Sequence, residues 1–186
     1  MKGVIFNLLQ EVVSAAHGAD AWDDILDEAG VSGAYTSLGS YDDEEWETLV
    51  ETASARLSLS RSELLRWFGQ EAMPHLARAY PVFFEGHVSS RSFLAGVNDI
   101  IHAEVHKLYA GAACPHLKLR AIDAGGVAMA YTSQRRMCAL AQGFTEGAAR
   151  QFHEVITFEH AACVEKGDSA CVFHIGWPPL EAAAND

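Results

Sequence analysis

His102 and His106 stand four residues apart in a segment of helical periodicity, so their imidazoles can share one face and hold a metal together. The acidic residue between them is Glu104, one place away from where an HExxH metallohydrolase carries its general base. Taken alone, His102 lies between Ile101 and Val105 on the apolar side of that segment. A histidine in such a place is ordinarily a core residue with one nitrogen hydrogen-bonded. A second group is Tyr131-Thr132-Ser133-Gln134-Arg135, which in an extended strand puts Tyr131, Ser133 and Arg135 on one face over about 13 Å. Two hydroxyls and a forked guanidinium suit an anion with two separated carboxylates, although a plain solvated strand face has the same pattern. The third group is Cys138, His160, Cys163 and Cys171, a Cys3His set suited to tetrahedral zinc, with a cluster of buried thiols as the alternative. Four protein ligands leave no position for water, so any such zinc is structural. Cys114 is the spare thiol.

Elements that position these groups are legible from periodicity. Val4, Ile5, Leu8, Leu9, Val12 and Val13 form one helical stripe ending near Gly18. Residues 20–29 form a second helix, with Asp20 placed to cap it and Gly30 to stop it. A third opens on Asp42-Asp43-Glu44-Glu45, whose carboxylates suit a helix N-terminus, and carries Trp46, Leu49, Val50 and Ala53 inward. Ser60 and Glu63 form the signature of a capping box for a fourth helix, which Pro74 is expected to kink or interrupt; Pro81 lies beyond it. Residues 92–109 read as the most regular helix, with Phe93, Leu94, Val97, Ile101, Val105 and Leu108 in phase. After Pro115 the period changes to two. Residues 117–121 and 127–131 form a hairpin around Asp123-Ala124-Gly125-Gly126, a helix follows over about 136–149 despite Gly143 and Gly147, and two strands lie near 155–158 and 171–175.

The chain has 186 residues, about half of them apolar, which is enough for one well-filled core. Its 25 acidic residues against 13 basic ones give a formal charge of -12, which opposes binding to nucleic acid or an anionic membrane. The opening apolar run is broken by Asn7, Gln10 and Glu11 before a signal-peptide core develops, and no later stretch approaches about 18 apolar residues. The expectation is a soluble cytoplasmic protein whose cysteines sit in a reducing compartment.

Several of these residues together resemble a known family. Met1-Lys2-Gly3-Val4-Ile5-Phe6-Asn7, Asn98-Asp99-Ile100-Ile101-His102 continuing to Lys107-Leu108-Tyr109, Gly111-x-x-x-Pro115 and Tyr131-x-Ser133-x-Arg135 are similar to H-NOX domains, the haem nitric oxide/oxygen binding modules related to soluble guanylate cyclase. The resemblance covers nearly the whole chain. It implies an α+β fold with a helical N-terminal lobe (residues 1–62) packed over haem b. The C-terminal lobe (residues 63–180) would carry helices and a four-stranded antiparallel sheet, with a frayed tail at 181–186. His102 would ligate the iron, Tyr131, Ser133 and Arg135 would hold the propionates, and Pro115 would press on the macrocycle. O2-binding members carry a tyrosine hydrogen-bond donor where this chain has Leu140. A distal pocket of Ile5, Leu9, Leu140 and Phe144 would therefore favour NO and CO and leave O2 unsupported. Some members bind zinc at the position of Cys138, His160, Cys163 and Cys171. Release of His102 by NO would shift the lobes and signal, without catalysis, to a partner such as a histidine kinase or a diguanylate cyclase or phosphodiesterase. The alternative is a redox sensor working through zinc thiolates or iron oxidation.

Overall fold

The computed structural model describes residues 1–178, so the expected frayed tail at 181–186 lies outside the described residues. Helices α1 (Gly3–His17), α2 (Ala19–Ala29), α3 (Asp43–Arg56) and α4 (Arg61–Ala79) build the first half. Their shared core holds Phe6, Leu9, Val12, Val13, Trp22, Ile25, Trp46, Leu49, Val50 and Phe68, each almost fully buried. Phe6 stacks on Tyr35 with centroids 4.2 Å apart and meets Trp46 edge-on at 5.4 Å, which ties α1 to α3 through aromatic contacts.

Some helix ends follow local chemistry and others do not. Gly30 adopts φ 69° as the left-handed stop of α2, a conformation a side chain would strain. Ser60 and Glu63 form the full capping box: Glu63 N–H donates to Ser60 Oγ, and Ser60 N–H donates to Glu63 Oε2 at 2.8 Å. Asp20 does not cap α2. Gly18 occupies the cap position without a side-chain bond, and Asp20 stands inside the first turn, where its charge still suits the helix dipole. Pro74 does not interrupt α4, which runs to Ala79. Met73 and Leu76 are both packed into cores on either side of the proline, and that burial outweighs the lost backbone bond.

The segment at 92–109 is not one regular helix. It consists of α5 (Ser90–Gly96), a π-helical turn (Val97–His102) and α6 (Ala103–Leu108). A π turn inserts one residue into the hydrogen-bond ladder without disturbing the three- and four-residue apolar spacing around it, which is why periodicity alone reads straight through it.

In the second half β1 (His116–Ala121), β2 (Val127–Thr132), β3 (Thr157–Ala162) and β4 (Cys171–Gly176) form one antiparallel sheet in the order β1-β2-β4-β3. Helix α7 (Cys138–Gln151) packs against α4. Their approach is close because α7 has a glycine where α4 presents backbone: a Cβ at Gly143 would lie 2.1 Å from the carbonyl oxygen of Arg66. The third strand begins later than the apolar run near 155–158 suggests, since Val155 is exposed and pairing starts at Thr157. The fold is α+β, with a helical lobe against a lobe of helices and a four-stranded antiparallel sheet.

Candidate functional site

Between the helical core, α5 to α6 and the sheet lies a cavity of about 660 Å³ with largely apolar walls, a size typical of small-molecule and cofactor sites. Ile5 and Leu8 on α1, Val97, Ile101 and His102 on the π turn, Met129 and Tyr131 on β2, and Leu140 and Phe144 on α7 all face it, with Pro115 from the loop before β1. Ser133 and Arg135, just beyond β2, line it too. Residues spread over more than a hundred positions of sequence therefore meet at one hollow.

His102 is half-buried at this wall. Burial pushes its pKa down to about 4, with the nearby His106 and His116 adding to the shift, so the imidazole is neutral at pH 7. A neutral ring has a free lone pair, the form a metal ion needs. His106 is exposed, and no described metal-binding group includes either histidine, so the two do not form a shared site.

Burial likewise raises the pKa of Tyr131, partly opposed by hydrogen bonds from Ser133 and the Met137 backbone, and the phenol stays protonated as a donor. Arg135 also lines the cavity, but its Nε donates to both carboxylate oxygens of Asp43 at 2.9 Å and its Nη1 to the Ala113 carbonyl at 3.0 Å. The same Asp43 accepts from the N-terminal amine of Met1 at 2.7 Å. These two cations hold the Asp43 carboxyl below its usual range despite the opposing effect of burial. Asp43 was legible in sequence only as an acidic residue at the start of α3; nothing local signals a partner 92 positions away.

Leu9 is not part of the cavity wall. Successive residues of a helix turn by about 100°. Leu8 faces the hollow, so Leu9 turns into the helical core, where it is 1% exposed. Tyr80 and Tyr109 were not anticipated, yet both line the cavity. Tyr109 is buried and its pKa is raised to about 12 by that burial and by its bond with Tyr80.

The residues present fit a haem: a hollow of suitable size, apolar walls, one half-buried neutral imidazole, and two hydroxyls with a guanidinium placed to meet acidic groups.

At the other face of α7, Cys138, Cys163 and Cys171 are all buried and their sulfurs lie within 4.8 Å of one another, with Cys138 and Cys163 Sγ 3.6 Å apart. Ligands on a tetrahedral zinc ion sit about 3.8 Å apart, so the trio fits three corners. Burial pushes the Cys138 and Cys171 thiols up, so a metal that takes them as thiolates must displace protons. His160 is not within this group: its Nε2 is hydrogen-bonded to Gln142 Oε1 at 2.8 Å, which holds the ring away from the sulfurs. Its pKa is lowered chiefly by burial. Spacing along β3 put His160 on the right face of the sheet but carries no information on where its ring turns. Cys114 is half-buried and apart from the trio.

No helix among the described residues is long and apolar enough to cross a membrane. A family model described as Haem-NO-binding matches residues 2–160. Among solved structures, an H-NOX protein from Shewanella oneidensis in the Fe(II)NO ligation state is 30% identical with a TM-score of 0.88, covering 96% of this chain and 99% of that one. An H-NOX domain from the same organism in the Fe(II)CO state is 30% identical with a TM-score of 0.87, over 96% and 99% of the two chains. The Fe(II) unliganded H-NOX protein from K. algicida is 26% identical with a TM-score of 0.80, over 96% and 97%. The match over residues 2–160 and the end-to-end likeness to these relatives agree with the cavity and its histidine: this chain belongs to the haem-NO-binding, or H-NOX, family.

Proposed function

We propose that this chain is a ferrous haem sensor of nitric oxide that excludes O2 and signals to a separate protein. The observation that carries this reading is the apolar cavity with half-buried, neutral His102 on one wall and Leu140 among the residues facing it. Haem b supplies the iron position at which a gas binds. His102 would offer a lone pair to that iron, and Tyr131 and Ser133 would donate hydrogen bonds to the propionates. Arg135 would add charge at the same end while keeping its bond to Asp43, and Pro115 would press on the macrocycle. Ile5, Leu140 and Phe144 present no hydrogen-bond donor to a bound gas. Bound O2 draws electron density from iron and needs such a donor, a bond worth about 1.5–3 kcal/mol or ten- to a hundred-fold in affinity. NO and CO need none. The relatives solved with NO and CO support gas binding of this kind.

Loss of the bond to His102 would release the π turn and the helices on either side of it, and with them the contact between lobes. The partner we propose is a histidine kinase or a cyclic-di-GMP enzyme, and the chain itself does no chemistry. The thiol trio would hold one structural zinc, with His160 as fourth ligand after its ring turns. Optical spectra of the ferrous protein test the reading: a Soret band that shifts with NO and with CO, disappears in His102→Gly, and does not convert to a stable oxygenated form in air. A stable oxygenated spectrum of the unaltered protein would sink it. A second reading, a redox sensor, is favoured by the three buried thiols. Peroxide-driven zinc release that alters partner activity without NO would support that reading instead.

A further inference from the structure

We propose that Asn98 is a positioning residue for His102: its side chain pairs with the free edge of β1 and fixes where the π turn, and with it the iron ligand, stands at the cavity. The part that concerns iron rests on His102 being its ligand; the clamp rests on the hydrogen bonds alone. β1 is an edge strand, with β2 on one side only. An antiparallel strand turns the N–H and C=O of alternate residues toward its partner and those of the residues between them outward. Leu117 faces outward, because the Asn98 amide takes both of its backbone groups. Leu117 N–H donates to Asn98 Oδ1 at 3.2 Å, and Asn98 Nδ2 donates to the Leu117 carbonyl. A primary amide offers an acceptor and donors side by side, as backbone does, so this one side chain stands in for a neighbouring strand. It also covers part of an edge that would otherwise be left unpaired.

The clamp sits where it can govern the ligand. Asn98 is half-buried at the second position of the π turn; Val97, Ile101 and His102 of the same turn line the cavity, and Asp99 and Ile100 are exposed. Upstream, Arg91 Nη1 donates to the Gly125 carbonyl at 2.8 Å, so α5 is tethered to the turn between β1 and β2. Downstream, among the described residues, no side-chain hydrogen bond joins residues 99–108 to the sheet. Asn98 is therefore the last polar tether before His102, and the fulcrum about which the rest of the turn and α6 can move. Leu117 stands opposite Tyr131 on β2, and both line the cavity. One row of the sheet thus links the segment that carries His102 to a hydroxyl of the proposed propionate grip, and the clamp sets the span between the two.

The test compares the parent holoprotein with Asn98→Leu, which keeps the side chain's size and removes both bonds. Ile25→Val, a change in the buried core of the helical lobe, controls for lost stability. Amide hydrogen exchange of the ferrous CO form reads the clamp. In Asn98→Leu the Leu117 amide should exchange about tenfold faster, while Lys118, opposite Ala130 in the ladder between β1 and β2, keeps its parental rate. Resonance Raman spectra of the unliganded ferrous protein read the iron–histidine stretching band, which should broaden and move to lower frequency in Asn98→Leu and stay parental in Ile25→Val. Should Asn98→Leu fail to fold, Asn98→Asp carries the test: it keeps the acceptor for Leu117 N–H, removes the donor to the carbonyl, and should shift the band in the same sense. A parental band in a folded variant, unchanged exchange at Leu117 in Asn98→Leu, or an equal band shift in Ile25→Val would overturn the proposal. An iron–histidine band that survives in His102→Gly would instead overturn His102 as the ligand, and exchange at Leu117 would then decide the clamp alone.

Discussion

Replacing Gly143 by alanine sets two effects of known size against each other. In a solvated helix the change gains about 1 kcal/mol, because alanine loses less chain entropy and shields the backbone. Here the added Cβ would lie 2.1 Å from the Arg66 carbonyl oxygen and 2.9 Å from its carbon, both backbone atoms that cannot rotate away. Ordinary contact begins near 3.4 Å, so α4 and α7 must separate by about 1.3 Å. Overpacking of this kind costs about 1–3 kcal/mol, and the retreat also loosens the fork between Arg66 and Glu146, a charge-assisted pair discounted because Arg66 is half exposed. The clash wins, because the atoms met are backbone and cannot give way, with a net destabilisation of up to about 2 kcal/mol. Urea unfolding should show a lower midpoint at an unchanged slope, and thermal unfolding a drop of about 4–8 °C. Leu140 and Phe144 flank the site and line the cavity, so haem should also be lost more readily to apomyoglobin. An alanine variant as stable as the parent, or more so, would refute the argument that α4 approaches α7 through this glycine.

Three further outcomes follow from the site. Leu140→Tyr should give the ferrous protein an oxygenated spectrum in air that the parent lacks; a variant that still binds haem and CO yet forms no such species would show that the distal donor does not decide gas choice. In the haem-free protein the folded pKa of His102, about 4, lies below the unfolded value of 6.5, so between them the unfolded chain binds the extra proton. Its contribution to stability is therefore complete above pH 6.5 and is lost as pH falls toward 4, and unfolding free energies measured across that range should fall less steeply in His102→Leu than in the parent. Asp43→Asn removes the carboxylate shared by Arg135 and the N-terminal amine. As Asp43 is half exposed, stability should change by less than about 1 kcal/mol, and the difference should shrink in high salt; a larger, salt-independent loss would mean the pair is buried in solution.

Much of the site was readable because it depends on what each residue is and which face it occupies. His102 shares a helical stripe with Ile101 and Val105, and Tyr131 lies within β2, so helix and strand periods bring these two toward a common interior. The same spacing continues the strand through Ser133 and Arg135, but β2 ends at Thr132 and they reach the cavity from the turn beyond it. Ser60 and Glu63 announce a helix start because both halves of the capping box are local. What stayed hidden depends on the second partner of a long-range contact. Leu8 and Leu9 are equally apolar, and only the neighbours of α1 decide which one faces the cavity. Gly143 and Gly147 read as weak points of a helix until α4 is seen against them. The ring of His160 is turned by Gln142, and Asp43 is claimed by Arg135. Neither pairing leaves a mark in spacing.

The π turn at Val97–His102 behaves like a dislocation in a crystal row. One surplus residue is held in a stretch that is otherwise regular, with His102 at its last position. Such a defect can move along its row by exchanging one hydrogen bond at a time, without melting the row, and each residue it passes is turned by roughly 100°. The helix that carries the proposed iron ligand thus already contains the slack for a change of register. A histidine freed from its bond would need no unfolding of α5 or α6 to swing aside, and the cost of moving it is that of shifting a fault already present in the resting fold.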